Sequence, residues 1–147
     1  VTLITTFEDK RREKQLKYEK SVLKEISIKD LKEQVKHLFG SSRLLTGLMN
    51  HAGIEEACYD MAIEAYLLGA HYSHFGTSGE TATTVQHRCK GDLTHFTNTL
   101  YHFFLYWAQN EEGAYSESLI YSCEQYIYSW WMEGFENGRK RHKLRLH

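Results

Sequence analysis

Proline is absent from all 147 residues of this chain. Proline is the residue that most sharply interrupts a helix, because it lacks the backbone N–H and its ring collides with the preceding turn, so nothing of that kind limits helix length here. Long apolar runs are missing too, and nothing approaches the roughly 20 consecutive apolar residues of a membrane span. No series of alternating strands with turn signals between them can be read, which argues against a sheet. Cysteine is scarce: Cys58, Cys89 and Cys123 are odd in number, widely spaced and set among apolar residues. That pattern excludes a disulfide frame or a Cys-x-x-Cys knuckle and reads as reduced, buried thiols. The segment Val1-Thr2-Leu3-Ile4-Thr5-Thr6-Phe7 lacks the basic flank, apolar core and small-residue cleavage site of a secretory leader. A cytoplasmic protein without a membrane span is the expectation.

Motifs of common chemistries are also lacking. There is no Gly-x-Ser-x-Gly elbow, no glycine cluster after a strand for a phosphate or dinucleotide, and no Glu-x-x-His of the metal-carboxylate bundles.

What the chain does have is a globular composition, 41% hydrophobic and 14% aromatic, in a length suited to one domain spanning residues 1–147. Its net charge of −1 hides a segregation: residues 1–36 hold ten Lys/Arg against seven Asp/Glu, residues 37–138 three against twelve, and residues 139–147 five against none. Basic ends on an acidic body are expected to dock on that body or on a neighbour's, and no nucleic-acid partner is expected.

The fold class read from these features is all-α, a single-domain bundle of about five helices. A basic helix over about 7–25 carries only a thin apolar stripe of Leu16, Val22, Leu23 and Ile26, as suits a surface helix. Ser27 is an N-cap for a helix over about 28–39, with Asp30 at its third position and Gly40 as its stop. Residues 41–53 read as a connector. The core helices then run over about 54–75, 80–108 and 116–138, with Gly91 a weak point in the second and Gly134 and Gly138 loosening the end of the third before a basic tail at 139–147. Val85, Cys89, Phe96, Leu100, Phe103 and Trp107 are the expected buried side of the 80–108 helix.

The run Asp60-Met61-Ala62-Ile63-Glu64-Ala65-Tyr66-Leu67-Leu68-Gly69, followed by Phe75-Gly76 and Gly79-Glu80, resembles the YbaK-like family of Bacillus and its relatives. Trp130-Trp131-Met132-Glu133-Gly134-Phe135, the ending Lys143-Leu144-Arg145 and the Lys/Arg-rich first helix fit the same pattern. The resemblance covers nearly the whole chain apart from residues 40–53. The family is a domain of unknown function, unrelated to the aminoacyl-tRNA deacylase of similar name. It implies a compact intracellular protein of Gram-positive, spore-forming bacteria and brings no activity, cofactor or site residue with it.

Two constellations remain as site candidates. Asp60 and Glu64, four apart on an otherwise apolar helix, are expected to project together into a packed interior, as hydrogen-bonding groups or as an acid–base pair. With His71, His74, Asp92 and His95 they form a candidate set of metal ligands, Glu64 and His71 being seven apart on one face. The second constellation is aromatic. Tyr101, Phe103, Phe104, Tyr106 and Trp107 crowd one helix, and Tyr121, Tyr126, Tyr128, Trp130 and Trp131 crowd another. One helix face cannot bury five such rings, so some must face a groove or another subunit. Tyr101, Tyr106, Trp107, Tyr128, Trp130 and Trp131 are the interface candidates. The reading is a non-enzymatic helical protein that forms a homodimer or engages another protein, with no cofactor. The alternative is a bundle that binds a metal or small ligand at Asp60, Glu64 and nearby histidines, with hydrolytic chemistry as one use of that site.

Overall fold

The structure is a computed structural model that describes residues 2–24, 26–39, 52–108 and 117–146, with side chains except at residues 2–7, 52, 107–108 and 145–146. Among the described residues regular structure is helical throughout, with no strand: α1 (Thr2–Leu23), α2 (Ile28–Phe39), α3 (Ala52–Thr77), α4 (Ala82–Arg88), α5 (Lys90–Ala108) and α6 (Glu117–Leu146). The all-α fold is as expected, with six helices among the described residues against about five read from the sequence.

Local signals explain several ends. The Asp30 N–H donates to Ser27 Oγ at 3.0 Å, satisfying one of the free amides that open α2. The Thr84 N–H donates to Thr81 Oγ1 at 3.2 Å at the start of α4. Between α3 and α4 the chain turns through Gly79, whose φ of +98° suits glycine.

Three expectations about the helices need correction. The helix read over 80–108 is broken, and the break falls at Cys89 rather than Gly91; Cys89 has φ −111° and ψ 23°, and its N–H turns back to Gln86 and His87 carbonyls. The residues 139–146 continue α6 instead of forming a separate tail. Gly134 and Gly138 do not loosen α6 but mark its tightest packing. A Cβ on Gly134 would lie 2.0 Å from the Tyr66 carbonyl oxygen, and one on Gly138 would lie 2.4 Å from Ser73 Oγ. The connector from residue 41 and the Gly40 stop lie outside the described residues, save that Ala52 and Gly53 open α3.

The central unit is α3 packed along α6. Tyr126 Oη donates to the Cys58 carbonyl at 2.8 Å, Asn137 Nδ2 donates to Tyr66 Oη at 2.8 Å, and Gly76 meets Phe135 and Arg139. Contacts on both helices advance together along the sequence, so the pair is parallel. Backbones this close need residues without side chains at the crossing, which Gly69 and Gly134 supply reciprocally. A parallel pair requires a return path, and α5 provides it, antiparallel to α3: Gly53 shares a groove with His102 and Tyr106, while Leu68 shares one with Phe96.

Around this unit the core closes on Phe39, Phe104 and Tyr126, whose rings meet at 4.9 and 5.4 Å from Phe39, and on Trp131 stacked with Phe135 at 5.0 Å. The buried line on α4 and α5 is Val85, Cys89, Leu93, Leu100 and Phe104. It therefore runs through Leu93 and Phe104 where the sequence suggested Phe96 and Phe103. Phe96 is half-buried and Phe103 is exposed.

Candidate functional site

The outer side of α5 leaves an apolar surface open. His95, Asn98, Thr99, His102, Phe103 and Tyr106 line a shallow groove of about 710 Å³ whose far wall is Gly53 at the start of α3. Their spacing follows the helical repeat, which puts them on one side of α5 while Leu93, Leu100 and Phe104 hold the other side in the core. Phe103 is 42% and Tyr106 64% exposed, a large apolar area for neighbouring positions on one helix. His102 Nδ1 lies 2.6 Å from the Asn98 carbonyl oxygen, which fixes the ring against its own helix.

The aromatic candidates divide between surface and interior. Tyr106 is exposed, Tyr101 and Tyr128 are half-buried, and the Trp107 side chain lies outside the described residues. Trp130 and Trp131 are buried within the chain. Neither indole N–H has a hydrogen bond of ordinary geometry, yet Trp131 faces the Cys89 sulfur and Trp130 the Tyr126 hydroxyl closely enough to counter in part the upward push of burial on those two groups. Trp130 lies beside Tyr66 and lines a groove with Glu33 and His37, while Trp131 stacks on Phe135 in the core. Phe103, read as core, belongs instead to the surface. No sequence signal separates Phe103 from Phe104, since both lie one turn beyond the buried Leu100.

The carboxylates are not where the sequence suggested. Asp60 and Glu64 are exposed, on a narrow polar ribbon of α3 with Glu56, His71 and His74. α3 reads as buried because its neighbours cover nearly all of it, and the acidic side chains occupy the strip that remains. Glu64 and His71 both line a groove of about 310 Å³ among α1, α3 and α5, with Leu68 and Phe96. Asp92 and His95 stand exposed on α5. The His74 ring lies against Phe75 at 4.1 Å, and Arg88, paired with Glu80 at 2.9 Å, covers Phe75. Among the described residues no three His, Cys, Asp or Glu side chains gather as a metal site would require.

The cysteines are free and buried. Burial pushes the Cys123 thiol up to about 12, and burial, with smaller contributions from Cys123 and Glu55, pushes Cys58 up as well. Such thiols are poor nucleophiles near neutral pH, because the thiolate is the reactive form. Tyr126 is held protonated by the same burial while its hydroxyl bonds the Cys58 carbonyl.

Fold and surface together define an all-α bundle with an aromatic groove on one helix. The chain belongs to the family described as "Protein of unknown function (DUF2521)", whose model matches residues 1–147. It is similar to the uncharacterized protein YbaK of Bacillus subtilis (strain 168), with 29% identity over 145 residues, 97% of each chain. The resemblance drawn from residues 60–69 and 130–135 is thereby borne out. No solved structure matches the chain. No helix of the described residues is long and apolar enough to cross a membrane.

Proposed function

We propose that this chain is a non-catalytic helical protein that works by pairing with a second copy of itself through the outer side of α5. The observation that carries the reading is the joint exposure of Phe103 and Tyr106 on an apolar groove. A symmetric pair needs a surface that fits itself, each bulge meeting a hollow on the other copy. The outer side of α5 has that character. Large rings stand at its C-terminal half, whereas Gly91, with open space around it, and Thr94 lie at the N-terminal half. An antiparallel crossing centred near Asn98 and Thr99 sets Phe103 against Thr94 and Tyr106 against Gly91 of the other copy. It also excludes water from the groove on both copies. The three buried, unpaired thiols support a reducing compartment, the cytoplasm.

Sedimentation of the full chain tests this reading. The expected result is a dimer at tens of micromolar, on the order of the affinity of a weak symmetric pair, and a monomer of unchanged helix content for Tyr106→Glu. A monomeric wild-type chain at that concentration overturns it.

A second reading rests on the groove among α1, α3 and α5, whose lining includes Glu64 and His71, an acid and an imidazole for a small polar ligand. Thermal shift against a metabolite and metal panel, repeated on Glu64→Gln, supports it if a hit is lost in the variant and removes it if no compound shifts the wild type.

A further inference from the structure

Two basic segments more than a hundred residues apart in sequence meet at one end of the bundle. The Arg141 guanidinium lies 5.7 Å from the centre of the Tyr18 ring, and Tyr18 Oη donates to the Ala70 carbonyl at 3.1 Å. The turn of α6 at Arg141 thus touches α1 at Tyr18, beside the C-terminal part of α3. At Arg141 the basic end of α6 meets Tyr18 of the other basic helix, and at Arg139 it packs over Gly76 of α3. The groove on α5 opens at the opposite end, beside the start of α3.

The exposed sides of both helices share one pattern. On α1, Lys10, Lys14, Lys17 and Lys24 recur at helical spacing and are exposed, and Leu16, 49% exposed, has Arg12 one turn before it and Lys20 one turn after. On α6, Leu144 is 75% exposed with Lys140 one turn before it and Lys143 adjacent. Among the described residues none of Lys10, Lys14, Lys17, Lys20, Lys140 and Lys143 enters an ion pair.

Exposed Glu8, Asp9 and Glu13 lie among the α1 cations, yet residues 2–24 hold seven Lys/Arg against four Asp/Glu and residues 139–146 five against none, so this end keeps a positive surplus, and the leucines set in it are exposed to water. A bilayer surface with anionic headgroups relieves both. Lysine stems extend toward the phosphates while leucines enter the boundary of the acyl region. A nucleic-acid backbone would use the cations and leave the leucines without a role. We propose that the α1/α6 end of this chain docks, without inserting a span, on the surface of an anionic lipid membrane. The proposal is independent of pairing through α5.

Flotation of the full chain with vesicles tests it, using phosphatidylcholine alone and phosphatidylcholine with about one-third phosphatidylglycerol. The chain is expected to float with the anionic vesicles, to remain behind with the neutral ones, and to release as salt is raised. Lys140→Gln with Lys143→Gln should weaken anionic binding by roughly tenfold to thirtyfold, at ~1 kcal/mol per basic residue near such a surface. Leu16→Ser with Leu144→Ser should weaken it too with every charge kept. All four positions are exposed, and circular dichroism checks that the variants fold. No binding to anionic vesicles, or equal binding to both compositions, overturns the proposal. So does tight, salt-sensitive binding to a DNA or RNA duplex that the leucine variant retains in full, with no vesicle binding; that outcome assigns the surface to nucleic acid.

Discussion

Gly134 of α6 sits directly on the Tyr66 carbonyl of α3, with 2.0 Å between that oxygen and the position a Cβ would take. Gly69 repeats the relation in reverse against the Trp131 carbonyl, also at 2.0 Å. The two helices are in backbone contact, so no side-chain rearrangement can make room for a methyl group. Gly134→Ala is expected to lower stability by about 3 kcal/mol or more, at the upper end of overpacking effects. Gly91→Ala, with nothing within 4 Å of its Cβ, should leave stability unchanged or raise it by up to ~1 kcal/mol. Urea unfolding of the two variants checks the contrast, and similar midpoints would contradict the close crossing.

Alkali should unfold this chain earlier than its surface charges would suggest. Cys123 has an ordinary value of 9.0 and rises to about 12 in the fold, so above pH 9 the unfolded chain releases that proton first. Stability from this group is complete below pH 9 and is lost as pH rises toward 12. At about 1.4 kcal/mol per pH unit, the loss near pH 10.5 is about 2 kcal/mol from Cys123 alone. Cys58, shifted in the same direction, adds to it. Unfolding free energies measured between pH 8 and 10.5 should fall for the wild type and fall less steeply for Cys123→Ala. Parallel slopes would contradict burial of this thiol.

The acidic ribbon of α3 should carry little of the stability. Asp60→Asn and Glu64→Gln remove exposed carboxylates, and neither is expected to shift stability by more than ~0.5 kcal/mol. A loss above 2 kcal/mol in urea unfolding would mean that these groups hold buried partners after all.

That pair shows what the sequence made legible and what it withheld. The helices followed from the missing proline, from Ser27 before Ile28, and from apolar spacings such as Leu31 with Val35 and Ala57 with Met61 and Ala65, all of which are buried. These are local signals, and local signals survive folding. The depth of Asp60 and Glu64 is set by which neighbours cover α3 and where they stop, which one helix cannot reveal. Gly134 and Gly138 were misleading for a related reason: a glycine's freedom is visible in the sequence, but the backbone that presses against it is not. Phe103 and Phe104 both lie one turn beyond the buried Leu100, and it is Phe104 that packs inward on Phe39, a contact the sequence of one helix does not reveal. The groove on α5 was visible only as an excess of rings that one helix could not bury.

Pairing through α5 is tested most directly by a cysteine placed at its centre. The native thiols are buried, so in Asn98→Cys the new thiol is the reactive one. If two copies cross antiparallel near Asn98 and Thr99, mild oxidation should join the variant into a covalent dimer at micromolar concentration. A cysteine on the polar ribbon of α3, in Asp60→Cys, should stay monomeric. Equal cross-linking at the two positions, or none at Asn98→Cys, would contradict the pairing.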